Sequence, residues 1–143
     1  MDFISDELLY QKSSQELTAI LYEGCLQHLD EAIAAINGRN HLEANEKLKK
    51  ATDILHRLGV GLKYEAGVIA EQLDTLYNYM SNRLIEANMK KDIEIINEVK
   101  KMLQTLSSAW NEALTKKNSQ PVNRTFQKQL TSYEQNIATI PVK

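Results

Sequence analysis

Between residues 14 and 117 the large apolar side chains return every three or four positions, with charged and amide residues between them. That is the period of an α-helix burying one face. The sharpest register lies in the third such segment, where Leu73, Leu76, Tyr77, Met80, Leu84 and Ala87 fall in one stripe. Tyr79 and Arg83, one turn apart, lie off that stripe and belong to its flank. The second segment carries Ala44, Leu48, Ala51, Leu55, Leu58 and Leu62 at heptad spacing. The fourth carries Ile96, Val99, Leu103, Leu106, Trp110 and Ala113, widened by Ile93, Ile95 and Met102. In the first segment Leu17, Leu21, Gly24, His28, Ala32 and Ala35 mark one line, with Ile20, Cys25, Leu29 and Ile36 beside it, and this line is expected to face the core.

Start and stop signals divide these stripes into four helices. Ser13 and Glu16 form a capping box, and Gly38 is the residue expected just past the first helix end. Asn40 with Glu43 repeats the start signal, and Glu43–Lys47 and Glu46–Lys50 are favourable pairs on the wet face. Gly59 and Gly61 mark a soft end or a close approach. Lys63 to Gly67 is the second turn, the third helix runs from Val68 to Ala87 with Asn88 as its left-handed stop, and Met89 to Lys91 turns into a fourth helix beginning near Asp92 and ending near Lys116. Three short turns joining four long helices predict an all-α fold, an antiparallel up-down-up-down four-helix bundle over residues 13–117. The stripes are wider than a strict two-position seam. A closed core could use that width, or an exposed groove could.

The two ends differ from the body. Residues 1–12 hold Phe3, Ile4, Leu8, Leu9 and Tyr10 and are too short to fold alone; the choice is between a frayed end and an apolar arm that docks on the body, and the arm is expected because so much apolar surface is costly to leave wet. Residues 118–123 read as a linker. Phe126, Leu130, Tyr133 and Ile137 then recur at four, three and four, one helical stripe with nothing obvious of its own to pack on, which leaves either a disordered tail or a fifth helix lying on the bundle, in the groove a partner would use.

Composition adds exclusions. A length of 143 residues fits one domain. Both prolines lie near the C-terminus, so long helices are permitted from residue 1 to 120. A formal net charge of −2 without clustered Lys/Arg speaks against a nucleic-acid partner. The single cysteine, Cys25, cannot form an intrachain disulfide and suits a reducing compartment. No run approaches the roughly 20 apolar residues of a membrane span, and the acidic N-terminus is no signal peptide, so no membrane insertion is expected.

Catalytic chemistry is hard to place. A di-iron bundle needs paired Glu-x-x-His elements, and only Asp53-Ile54-Leu55-His56 comes near. No phosphate loop, zinc spacing or nucleophile motif is present, so neither an enzyme nor a cofactor is expected. His28 reads as a core histidine, His41 as solvated and Cys25 as packing. His56 begins HRLGVG, which resembles the phosphoacceptor stretch of histidine phosphotransfer domains. Gly59, however, stands where those domains carry a lysine, and the cation that would stabilise a phosphoryl group is missing.

A closer resemblance covers the helical body from Ser13 to Lys117. Ser13-Ser14-Gln15-Glu16-Leu17 is similar to a Ser-Pro-x-Glu-Leu entry motif, with Ser14 in place of the proline that preorganises the first turn. Thr18 to Gly24, TAILYEG, resembles a Leu-Tyr-x-Gly segment. Tyr77 to Asn88, YNYMSNRLIEAN, is similar to a Tyr-x-Tyr-Met-x-x-Arg-Leu-x-x-Ala-Asn signature, followed by Lys91-Asp92 and a late Trp110. These pieces, in this order, resemble the FliS family of flagellin-specific export chaperones. The resemblance implies a cytoplasmic four-helix chaperone that binds the disordered C-terminal segment of flagellin, prevents its premature polymerisation and delivers it to a flagellar export gate component. It also implies an N-terminal arm able to cover the groove. Candidate partner-binding residues are Tyr10 in the arm, Leu21 and Tyr22 in the second motif, Leu58 on the second stripe, and Tyr79, Arg83 and Asn88 in the signature. An uncovered groove could also pair two copies as a homodimer. The alternatives are phosphotransfer through His56 and an adaptor bundle for another client. Residues 118–143 extend past what the resemblance covers.

Overall fold

The computed structural model describes residues 14–62 and 68–115. They form α1 (Ser14–Asn37), α2 (His41–Gly61), α3 (Val68–Lys90) and α4 (Ile93–Thr115), with no strand among the described residues. Helices adjacent in sequence pack together, and α1 closes the ring against α4. The expected four-helix bundle is therefore present. The arm over residues 1–12, the Ser13 cap, the second turn, and the linker and tail from residue 118 lie outside the described residues.

Two hairpins are closed by the same backbone device. After α1, the amide of Arg39 donates to the Ile36 carbonyl at 3.0 Å and that of Asn40 to the Ala35 carbonyl at 2.8 Å. After α3, the amide of Asp92 donates to the Ala87 carbonyl at 3.0 Å. Gly38 directly follows the end of α1, as expected; the left-handed non-glycine residues are Arg39 (φ 58°) and Lys91 (φ 51°), not the expected Asn88. Gly38 still continues the α1 bonding pattern through its amide to the Ala34 carbonyl, and Asn88 lies inside α3, which runs three residues further than its stripe suggested. In each hairpin the next residue caps the following helix. Asn40 Oδ1 accepts from the Glu43 amide at 3.1 Å, and Asp92 Oδ1 accepts from the Glu94 amide at 2.9 Å. One residue thus ends one helix and starts the next, so neither turn has slack.

The core confirms three of the four stripes. Leu73, Leu76, Tyr77, Met80, Leu84 and Ala87 on α3 are all buried, as are Ala44, Leu48, Ala51, Leu55 and Leu58 on α2 and Ile96, Val99, Leu103, Leu106 and Trp110 on α4. On α1 the centre is Tyr22, Cys25, Leu29 and Ala32 rather than the line through Leu21, Gly24 and His28, which turns toward α2. His28 is accordingly not a core histidine: it sits half-buried at the edge, with Nδ1 2.9 Å from Glu31 Oε1. The shift comes from Tyr22. Its hydroxyl meets the Tyr77 hydroxyl at 2.7 Å across the bundle, and its ring stands edge-on to Trp110 at 6.0 Å. With its one polar atom satisfied, a tyrosine can occupy the deepest position and contribute as a large aromatic. Cys25 is packing, as expected. Burial pushes its thiol up to about 12, and Sγ lies 3.6 Å from the Ala51 carbonyl oxygen.

On the surface Lys50 pairs with Glu46 at 3.3 Å, whereas Lys47 turns across to Glu31 of α1 at 3.6 Å. The turns yield a stability test. Arg39→Gly removes the Cβ that strains a left-handed residue and should raise the unfolding free energy by about 1 kcal/mol. Lys91→Gly should gain less, because the Lys91 ammonium also donates to the Asn88 carbonyl at 2.7 Å. Urea midpoints of the two variants check this ordering.

Candidate functional site

Most of the large apolar side chains left uncovered lie on one side of the bundle. Leu42 and Val60 on α2 are 81% and 53% exposed, and Ile85 and Met89 on α3 are 52% and 82% exposed. Leu42 and Val60 are separated by a whole number of helical turns and so share a side of α2. Ile85 and Met89, one turn apart, share a side of α3. Between the two helices runs a cleft of about 430 Å³ lined by Leu48, Thr52, Leu84, Ile85, Asn88 and Met89, with the charged Lys49 and Asp53 on its α2 wall. Asn88 Nδ2 donates to Asn45 Oδ1 at 2.7 Å, tying α3 to α2 beside the cleft, and Lys91 donates to Asn88 from the turn.

A second apolar opening lies at the end opposite the two tight turns. It encloses about 100 Å³ between Leu21, Leu58, Leu62, Leu73, Tyr77 and Trp110. Tyr22, buried against Tyr77 and Trp110, lies behind this wall. Trp110 is held by its Nε1–H, which donates to the Gln15 carbonyl at 2.7 Å.

Tyr79 and Arg83 stand elsewhere, on the α3–α4 edge. The Tyr79 hydroxyl donates to Glu98 Oε2 at 2.7 Å, and Arg83 reaches Glu98 Oε1 at 2.8 Å and Glu86 Oε1 at 2.7 Å. Lys90 extends the chain of charges to Glu86 at 2.9 Å. Desolvation, and then the Glu98 carboxylate, push the Tyr79 phenol up to about 12. The hydrogen bond to Glu98 raises the Arg83 guanidinium further above its ordinary value. Both side chains are thus held in one geometry, which lowers the ordering cost of any contact made there.

The residues singled out from sequence therefore separate into three places. Leu21 and Leu58 line the end pocket with Tyr22 behind them, Asn88 lines the α2–α3 cleft, and Tyr79 and Arg83 share the opposite edge of α3. Tyr10 lies outside the described residues. Sequence reasoning missed Leu42, Val60, Ile85 and Met89, whose signal was apolar residues at turn-like spacing outside the core stripes. It also missed Glu98 and Asn45, which no local pattern connects to Arg83 or Asn88. His56 is exposed, but a Cβ at Gly59, one turn on, would lie 3.5 Å from the Asp74 carboxylate. Negative charge is thus nearby where phosphoryl transfer needs a cation. Among the described residues no His/Cys/Asp/Glu group could hold a metal, and no helix is long and apolar enough to cross a membrane.

Comparison with known proteins agrees with the fold and the motifs. The family described as Flagellar protein FliS matches residues 6–117. The flagellar secretion chaperone FliS of Bacillus subtilis is 34% identical over 99 residues, covering 69% of this chain and 74% of its own length. That of Vibrio cholerae is 32% identical over 108 residues, 75% of this chain and 79% of its own. That of Escherichia coli is 32% identical over 104 residues, 71% of this chain and 76% of its own.

The Tyr79–Glu98 contact is testable by titration. The folded-state value lies above the ordinary phenol value, so its stabilisation is fully present below pH about 10 and is lost as pH rises toward 12. Glu98→Gln should bring Tyr79 ionisation down toward the ordinary range without restoring it fully, because burial remains. Ring-carbon NMR shifts of Tyr79 against pH read the difference.

Proposed function

The chain belongs to the FliS family of flagellar secretion chaperones, and from that membership we propose that it escorts flagellin: it binds the disordered C-terminal segment of the subunit, keeps subunits from polymerising in the cytoplasm, and hands them to a component of the flagellar export gate. The role is non-enzymatic, with affinity and release as its only chemistry.

The observation that carries this reading is the apolar α2–α3 side. A subunit that polymerises exposes amphipathic segments, and a groove with apolar anchors along one flank offers those segments an alternative partner. Ordering the client costs about 2 to 5 kcal/mol or more. Leu42, Val60, Ile85 and Met89 are each more than half exposed. Fully covering such a side chain is worth about 1.5 to 3 kcal/mol, so covering the exposed parts of all four is of the same order as that cost, and further contacts along the track are needed to exceed it. A long, shallow contact of this kind stays reversible, as delivery demands.

The remaining residues take supporting roles. Leu21 and Leu58 provide an anchor subsite at the end of the track, with Tyr22 stiffening its wall and Asn88 fixing the spacing of α2 and α3. Tyr79 and Arg83, on the far edge of α3, stay accessible while a client lies in the cleft and suit a second contact with the export machinery. Tyr10 belongs to the arm that would cover the track when no client is bound.

Titrating the chain with a peptide of the flagellin C-terminal segment should give a one-to-one complex in which the peptide gains helicity. Ile85→Asp with Met89→Asp should weaken binding by about tenfold or more, a loss of about 1.4 kcal/mol, with bundle helicity unchanged. Ser108→Asp, on the exposed side of α4, should leave it unaltered. No saturable binding at tens of micromolar, read by calorimetry and circular dichroism, rejects the reading.

A further inference from the structure

We propose that the C-terminal extension of this chain docks on its own bundle at the end opposite the two tight turns, placing the stripe Phe126, Leu130, Tyr133 and Ile137 against the pocket walled by Leu58, Leu62 and Trp110. The docking concerns the chain alone and stands whichever client it carries.

Position makes the contact available. The two tight turns occupy one end of the bundle, so α1 begins, α2 ends, α3 begins and α4 ends at the other. The pocket lies there, and α4 releases the chain at Thr115, little more than one turn past Trp110. The ten residues before Phe126 span up to about 33 Å when extended. A helix is about 10 to 12 Å across, so the stripe reaches any part of that end without strain. The pocket is also the right size. A cavity of about 150 Å³ admits benzene, so an opening of 100 Å³ takes the end of one aromatic or leucine side chain.

Charge selects this segment over the other terminus. Arg57 is the one charged residue among the described residues lining the pocket, and the described helix ends around it carry Glu16, Glu71, Asp74 and Glu112. Residues 116–143 carry Lys116, Lys117, Arg124, Lys128 and Lys143 against Glu134. The N-terminal twelve residues carry Asp2, Asp6 and Glu7 against Lys12, the same sign as the opening. Within a Debye length of about 8 Å at physiological salt, the tail is attracted to that end and the arm is repelled. The family match stops at residue 117, so the proposed occupant lies outside the matched region. Being tethered, the tail acts at a high effective concentration. A client side chain entering the same pocket must displace it, and the apparent affinity falls by the fraction of time the pocket is free.

Disulfide trapping in the full-length chain tests the docking. A Cβ at Gly61 meets nothing within 4 Å, and Gly61 borders the pocket, so Gly61→Cys is a clean reporter, while native Cys25 is buried. It is combined in turn with a cysteine at Phe126, Leu130, Tyr133 or Ile137, or on the opposite side of the stripe at Lys128 or Gln135. The stripe positions should form intrachain disulfides about tenfold faster than Lys128 or Gln135, and more slowly at high salt. In parallel, Leu130→Asp with Tyr133→Asp, outside the bundle core, should red-shift emission from Trp110, the chain's one tryptophan, with helicity of the bundle retained. Equal trapping at all positions with unmoved emission overturns the proposal. So does faster trapping to Tyr10→Cys, or crosslinks that form only between chains.

Discussion

Ring closure governs this molecule. Four helices seal a core only along the sides that face the common axis, and the apolar stripes here are wider than that axis requires. Leu48, Leu84, Ile96 and Leu103 are almost completely buried, while Ile85, next to Leu84 in the chain, is half exposed. The surplus is not spread evenly. On α4 the buried set is continuous from Ile95 to Trp110, whereas α2 and α3 keep Leu42, Val60, Ile85 and Met89 outside. A bundle whose own stability is settled by its interior can leave such residues free for a partner, since uncovering them costs the fold nothing further.

Polar contacts set where that surplus is presented. The paired hairpin turns fix the relative height of α1 with α2 and of α3 with α4, and Asn88 joined to Asn45 ties the two hairpins at the same end. The Tyr22–Tyr77 hydroxyl pair does so from within, between α1 and α3. At the opposite end Trp110 ties α4 to α1 through the Gln15 carbonyl, and the pocket beside it is walled mainly by leucine and aromatic side chains.

Much of the fold was legible in the sequence, because three of the four stripes are unambiguous at a period of 3.6. The first was misaligned because Tyr22 stands off the core line drawn from sequence and among the candidate partner-binding residues. A buried hydroxyl is costly unless matched, and its match, Tyr77, lies 55 residues away. The end of α3 was placed early for a related reason: asparagine is an expected left-handed residue, yet Lys91 takes that conformation and offsets the strain by donating to Asn88. The site was less legible than the fold. Tyr79 and Arg83 were recognisable as a shoulder, but Glu98, which holds both, belongs to another helix. The cleft was invisible, because core and groove draw on the same apolar residues and only the packing separates them.

The claim on which the functional reading rests is that the α2–α3 side receives the client. Methyl NMR of the chain, with the leucine, isoleucine, valine and methionine methyls observed before and after saturation with the flagellin C-terminal peptide, tests it directly. The expected result is a contiguous set of shifts at Leu42, Val60, Ile85 and Met89, with intermolecular contacts from the peptide to Ile85 and Met89, while Leu103 and Val99 in the core remain in place. Shifts confined to the outer side of α4, with Ile85 and Met89 unmoved at saturation, would contradict it.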